Sequence, residues 1–524
     1  MAHRAEPQPT KPSIASPQTV AASRTGYAAQ PLPDAGAGAP AHPLATVLLC
    51  VLLSLIFYLP NYAQLRIDTG IRGLNVVNVL FILAVILLSL MPKLQTEPVP
   101  IKLPILLFFG LFTWALIVAL LGDSSAWVED VTDYKNAIFY VLLYFLFYHA
   151  VRDLRTVRLL MLMILFVMFT SSVLGVRQAF DYGIGTYSDA KRVSAPFGWS
   201  ANDANRAAVF LVIYLQFVFA VVMFMKSKLW LRVACIGIAF LCVFSIFHTY
   251  SRQVYGILGV TILLIAMRRH LLWALIISVL LINYDLWVPE SVVQRVETTQ
   301  SDPFEARSRP QEIQGFDPNA TGIRFAQKQP QLAPDALVSG KYDESTESRF
   351  IIWSGALELI QSRPHGIGLN RFQREITPYV PPSHAGKDAH NFYVLITTEA
   401  GVIAPVILLI LLVSLLRLGL RLTSLKSDEE AMTLGVGFTM ATLAVMMGNV
   451  YGSRFVDGDV MGMYWITAAL VARTYQMKQA AIKEKMKPHV APQSREDLLP
   501  APQSGMATAV QPPIHRPRRS PTRF

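Results

Sequence analysis

The 524 residues are 53% hydrophobic, only 15% charged, and carry a formal net charge of +11. A soluble protein of this length needs about a quarter charged residues to wet its surface, and here the missing charge is removed from long blocks, which excludes a soluble multidomain chain. The basic residues fall mainly in short loops between apolar runs and in the tails, as membrane topology requires of cytoplasmic loops, so the charge points to membrane lipids and away from nucleic acid.

Residues 1–43 are rich in Pro, Ala, Ser and Gln and have no core-forming pattern, so they read as a disordered cytoplasmic tail. The apolar run that follows starts too late for a cleavable signal peptide and continues as a first span. Apolar stretches long enough to cross a bilayer as helices recur at 44–60, 74–91, 103–121, 135–150, 157–176, 205–225, 230–249, 252–267, 271–288, 391–416, 432–450 and 458–475. The expected fold is an all-α polytopic membrane protein of about twelve transmembrane helices. Spans 1–9 occupy 44–288, a large outer loop 289–390, spans 10–12 residues 391–475, and a basic, Pro-rich cytoplasmic tail 476–524. The three cysteines, Cys50, Cys235 and Cys242, fall inside spans and read as small buried hydrophobes.

Charge sets the orientation. Alternate loops hold Lys93 and Lys102, Arg152, Arg155 and Arg158, Lys226, Lys228 and Arg232, Arg268 and Arg269, and Arg417, Arg421 and Lys426. These belong inside, whereas the opposite loops carry Asp68, or Asp123, Glu129, Asp130 and Asp133, or Asp457 and Asp459. That phase places 289–390 outside the cytoplasm. Within it, 297–347 is polar and expected to be mobile. Residues 348–361 put Phe350, Trp353, Leu357 and Ile360 on one helical stripe, as in a helix lying on the outer membrane face. Arg363-Pro364 should end that helix, and His365-Gly366-Ile367-Gly368 follows as a turn.

Several outward residues are candidates for chemistry. Arg252, in His248-Thr249-Tyr250-Ser251-Arg252-Gln253, sits at a membrane boundary, where a charge is costly unless it snorkels or is paired. Its planar fork suits a lipid-linked phosphate or pyrophosphate, and an interfacial arginine paired with a carboxylate or headgroup is the plainer alternative. Lys191-Arg192 lies in the loop after span 5, and Arg349, Arg371 and Arg374 are further phosphate contacts to consider. His390, where the outer loop meets span 10, can take a proton from a sugar hydroxyl, or can simply cap the helix. Glu399, nine residues on, lies within span 10, where a packing or hydrogen-bonding role is the simpler assignment. No Walker loop, Cys/His metal pattern or nucleotide-sugar fingerprint is present, so neither metal nor cofactor is expected.

In order and topology these features resemble the O-antigen ligase and Wzy-type polymerase superfamily of bacterial envelopes. The residues that carry the resemblance are Ser251-Arg252 after span 7 and Arg349 to Trp353 ahead of Pro364-His365-Gly366-Ile367-Gly368. His390-Asn391 follows, with Glu399-Ala400-Gly401 down the next helix. Ala195 and Ser200-Ala201-Asn202 depart from the glycine and Pro-Asn expected near Arg192. The resemblance implies a metal-independent glycosyltransferase of the GT-C type in the inner membrane, with its site facing the periplasm. It would move glycan from undecaprenyl pyrophosphate to a glycan or lipid acceptor. His390 would be the base, Arg192, Arg252 and Arg349 would bind pyrophosphate, and Asn391 and Glu399 would support them. Polymerisation of exopolysaccharide or O-antigen repeat units is the favoured reaction, with a chain-length regulator and export proteins as further partners. Ligation to lipid A core is the alternative within the family. A polysaccharide transporter or lipid-linked sugar flippase is the alternative from another class, and the absence of a repeat between 44–267 and 271–475 argues against it.

Overall fold

The structure, a computed structural model, describes residues 43–65, 67, 75–92, 98–185, 188, 190–297, 344–425 and 428–486. Those residues form an all-α polytopic membrane protein with no strand. The predicted N-terminal tail, Pro43 apart, lies outside the described residues, as does most of the polar stretch at 297–347.

The first nine helices are α1 (Pro43–Asn61), α2 (Val76–Ser89), α3 (Lys102–Gly122), α4 (Trp127–Ala150), α5 (Leu154–Tyr182), α6 (Ala204–Phe224), α7 (Leu229–His248), α8 (Arg252–Arg269) and α9 (Leu271–Ile282). Three short or amphipathic helices follow in the segment predicted to lie outside, the outer segment: α10 (Glu290–Glu297), α11 (Glu344–Ser362) and α12 (Phe372–Glu375). The chain ends with α13 (Phe392–Ala400), α14 (Ala404–Thr423), α15 (Glu429–Gly448) and α16 (Gly458–Lys485). Seven helices (α1, α3, α5, α6, α7, α14 and α15) are long and apolar enough to cross a membrane, and α2 and α9 are shorter apolar helices. Each predicted span finds a helix, although α4 starts eight residues early, α5 runs six residues long and α9 stops six residues short, and two further differences matter more. Span 10 is broken into α13 and α14, and α16 runs ten residues past the predicted end of span 12.

Helix α6 sits at the centre, packed on α15, α7 and α8, and α14 joins α15 to α3. Small residues permit the close approach that holds helices together where lipid supplies no hydrophobic drive. A Cβ added at Gly435 would lie 2.8 Å from the Thr423 nitrogen, and one at Gly419 would lie 2.5 Å from Thr439 Oγ1. Cys235 and Cys242 are buried as expected, whereas Cys50 lies on the exposed face of α1.

The loops that alternate in charge also alternate in space. At one end Glu430 pairs with Arg158 and Lys228, both at 2.9 Å, and Lys478 pairs with Asp428. At the other end Arg206 pairs with Asp459 at 2.8 Å, and the Gln253 amide donates to the Met447 and Gly448 carbonyls.

The broken span is what positions the outer segment. Gly401 has φ +92°, which ends α13. The 364–368 turn lies against this interruption: Ile367 and Gly368 N–H groups donate to the Thr398 and Glu399 carbonyls, and Val402 N–H donates to the Pro364 carbonyl, all at 3.0 Å. Gly366 (φ +99°) has no room for a side chain, since a Cβ there would meet the Glu399 carbonyl oxygen at 2.5 Å. Next in sequence, Arg371 clamps α12 to α4. Its two terminal nitrogens reach the two Asp130 oxygens at 2.9 and 2.6 Å, and one also donates to the Asp123 carbonyl.

The predicted stripe on the amphipathic helix is corrected. The buried line of α11 is Ile352, Ala356 and Leu359, while Phe350 and Leu357 are exposed. That line meets Phe372, Ile376, Val380 and Ala389, so the helix covers protein. Small residues set the choice of face: a Cβ at Gly355 would come within 2.6 Å of the Tyr379 carbonyl oxygen, a proximity that bulky side chains forbid.

Two expectations follow for stability. Gly366→Ala should lose the monodisperse folded species on size exclusion, because left-handed strain adds to a backbone overlap, while Gly237→Ala, with open space around it, should behave as the parent. Arg371→Ala leaves Asp130 buried without its partner and should destabilise the protein by about 3–5 kcal/mol, read as a lowered melting temperature in detergent. A parent-like melt for that variant would show that the clamp is not structural.

Candidate functional site

Three of the arginines singled out in the sequence meet at one cavity of about 1490 Å³, lined by Arg192, Arg252 and Arg349 and by a fourth, Arg295. Among the described residues its lining includes Asn205, Ser251, Gln253 and Tyr451 and no carboxylate. Four cations gathered in one wall favour a multiply charged anion.

Each arginine comes from a different element. Arg192 is held by its Nε donating to the Thr249 carbonyl and a terminal nitrogen donating to Asn205 Oδ1, both at 2.8 Å. Its loop is fixed to the end of α7 by the Val193 N–H donating to the His248 carbonyl. Arg252 is the first residue of α8, where the helix dipole favours anions. Tyr250, two residues before it, holds a left-handed backbone (φ +51°), a cost of about 1–3 kcal/mol that surrounding structure must meet. Arg349, on α11, hydrogen-bonds Ser345 Oγ at 3.1 Å and stacks over the Tyr451 ring at 5.5 Å. Arg295 is on α10.

His390 lies beside this cavity. The Tyr451 ring that supports Arg349 also faces Trp353 at 5.7 Å, and the Trp353 indole donates to the Ala389 carbonyl at 2.8 Å. His390 itself is left-handed (φ +48°), with its side chain 47% exposed. Asp388 organises it: one carboxylate oxygen accepts the His390 N–H at 3.1 Å, lies 3.5 Å from His390 Nδ1, and accepts from Ser453 Oγ at 3.2 Å. Partial desolvation holds the His390 imidazole below its ordinary range. Asp388 pulls the other way, and Arg349, Arg454 and Lys387 add to the lowering. A neutral imidazole beside an anion site is a competent proton acceptor. Asn391 caps α13, its Oδ1 accepting from the Tyr393 and Val394 N–H groups at 2.9 and 3.2 Å.

Glu399 does not join the arginines. It is buried and lines a second cavity of about 930 Å³ together with Asp133, Asn136, Gln373, Asp388 and Asp457. Arg371 and Arg374 also fall away from the basic cavity. Arg371 is bound to Asp130, and Arg374 pairs with Asp123 at 2.8 Å and with Glu375. That contact, with Ser125 donors, holds the Asp123 carboxyl well below the usual range. Sequence reasoning missed Arg295 and Asp388. The first sits on a helix of eight residues, and the second is two residues from the histidine it holds, a spacing that alone could have flagged it. A third cavity, of about 810 Å³, opens at the opposite end with a mainly aliphatic lining, and the charges at its mouth are already in ion pairs.

No curated protein matches the chain. Residues 237–409 match the family model described as O-Antigen ligase. The matched stretch contains Arg252, Arg295, Arg349, Asp388, His390 and the break after α13, and leaves Arg192 outside it. Over that stretch the match bears out the resemblance read from the motifs.

Proposed function

We propose that the protein is an inner-membrane glycosyltransferase whose site faces the periplasm and polymerises lipid-linked repeat units of a surface polysaccharide. The observation that carries this reading is the convergence of Arg192, Arg252, Arg295 and Arg349 on one cavity, with His390 in the electrostatic field of Arg349.

In the reaction, an acceptor hydroxyl attacks the anomeric carbon of a glycan carried on undecaprenyl pyrophosphate. The new carbon–oxygen bond forms as the bond to the pyrophosphate oxygen breaks, and the electron pair leaves with the pyrophosphate. His390 takes the hydroxyl proton. The arginines stabilise the charge that grows on the leaving group, which is where fixed positive charge contributes most. The same geometry serves transfer to lipid A core, a reading favoured by the description of the matched family.

Arg252→Lys should insert normally yet lose most product, because a point charge cannot reproduce a bidentate fork. Product should form in EDTA, since the arginines supply the positive charge. Normal turnover by the lysine variant, or EDTA inhibition reversed by added metal, would count against the assignment. His390→Ala should lower the rate by about a hundred- to ten-thousand-fold while lipid-linked donor accumulates, and His365→Ala and His384→Ala should retain substantial activity. The pH profile adds a signed test. The base must be neutral, so activity rises with pH through the His390 titration, which lies below the ordinary imidazole range. Asp388 raises that pKa, so Asp388→Asn should move the acid limb to lower pH, and a limb that stays in place would separate His390 from the titration.

A further inference from the structure

The second cavity lies across Asp388 from His390, and its chemistry is the opposite of the first. Its polar wall is Asp133, Asn136, Asn370, Gln373, Asp388, Glu399 and Asp457, and among the described residues neither Lys, Arg nor His lines it. Asp133 and Asn136 are three apart on α4, so they share a helix face. Phe112, Phe372 and Phe392 supply an apolar floor, each nearly fully buried. Arg206 and Arg454 reach Asp457 from outside the lining at 3.8 and 3.1 Å, which offsets part of the charge at that corner only. Its enclosed part, about 320 Å³, falls at the lower end of the range of small-molecule sites.

We infer that this cavity is a carbohydrate subsite for the acceptor end of the glycan, selective for neutral or amino sugars over uronic acids. The inference rests on the transferase reading of the basic cavity and adds where the acceptor sits and what it can carry. Carboxylates and side-chain amides offer the paired acceptors and donors that vicinal hydroxyls need. The absence of a cation from the lining makes any carboxylate or phosphate on the sugar a like-charge penalty. The same repulsion keeps the donor pyrophosphate on the arginine side of His390. Asp388 ties the two halves together, because it lines this cavity and holds the imidazole. A hydroxyl presented at the Asp388 wall is thereby carried to the base. A divalent cation is a poorer occupant: among the described residues no group of three or more His, Cys, Asp or Glu side chains is placed to hold a metal.

The test uses the full-length protein in nanodiscs and saturation-transfer NMR with methyl β-glucoside, methyl β-glucosaminide and methyl β-glucuronide, alongside a titration with inorganic pyrophosphate. The neutral and amino glycosides should bind at least about tenfold more tightly than the glucuronide. Asn136→Ala and Gln373→Ala, both at exposed positions, should each weaken glucoside binding several-fold and leave pyrophosphate affinity unchanged. Asp133→Asn should narrow the gap between glucoside and glucuronide. Equal binding of the glucuronide, glucoside binding untouched by both alanine variants, or binding that appears only with added calcium would each overturn the inference. Pyrophosphate that fails to bind, or that Arg252→Ala does not weaken, would instead remove the reading of the basic cavity. The glycoside results judge this one separately.

Discussion

A helix that stops inside a span leaves carbonyls with no water to turn to, and each such group costs several kcal/mol unless protein answers it. Here the answer comes from the outer segment: the N–H groups of Ile367 and Gly368 reach the Thr398 and Glu399 carbonyls at the end of α13. Everything that gathers at the site hangs on that contact. It fixes the 364–368 turn, the turn fixes the start of α12, and Arg371 then ties α12 to Asp130 on α4. With both anchored, α11 has one place to lie, on Phe372, Ile376 and Val380, and Arg349 is delivered to the arginines of α8 and α10. The histidine at the head of α13 is positioned by the same helix whose other end accepts the turn.

The membrane fold was legible because hydropathy and loop charge are global signals that many residues repeat. Twelve apolar stretches and an alternating charge pattern do not depend on any single side chain. The candidate residues were legible for a different reason: an arginine at a bilayer edge and a histidine at a span boundary are chemically expensive or versatile wherever they occur. What the sequence hid is contact geometry. The inward face of α11 is marked by Gly355, Ala356 and Ile352, and a search for large apolar residues at helical spacing passes over a face chosen for closeness. Arg371 and Arg374 looked like Arg349 on paper, and only the positions of Asp130 and Asp123 on a distant part of the chain divide them from it. The interruption at Gly401 was invisible to hydropathy because Val402 and Ile403 keep the run apolar.

Charge in this molecule is partitioned rather than balanced. Around His390, cations face one cavity and carboxylates the other, and the histidine sits at the seam with Asp388 beside it and Arg349 within electrostatic reach. On the proposed transferase reading, such an arrangement would orient a dipolar reaction before any substrate arrives, with the leaving group on the cationic side and the attacking hydroxyl on the other. The left-handed backbones at Tyr250 and His390 flank the seam. Strain of this kind persists where the surroundings over-determine a conformation; Tyr250 donates its hydroxyl to Ser291 on α10, and the His390 N–H is held locally by Asp388.

Helices α6 and α7 are nearly equal in mean hydropathy, 2.6 and 2.3, yet 83% of the α6 window is buried against 33% for α7. The apolar surface that lets α6 enter the bilayer is afterwards enclosed by other helices, while that of α7 stays against acyl chains. Lipid accepts almost any aliphatic shape, and a helix core accepts few. The two segments therefore stand under different rules of descent. α7 is free to exchange Leu, Ile, Val and Phe on its outer face as lineages diverge, and α6 must keep its volumes residue by residue, so kinship between distant relatives should persist longest in the helix that lipid touches least.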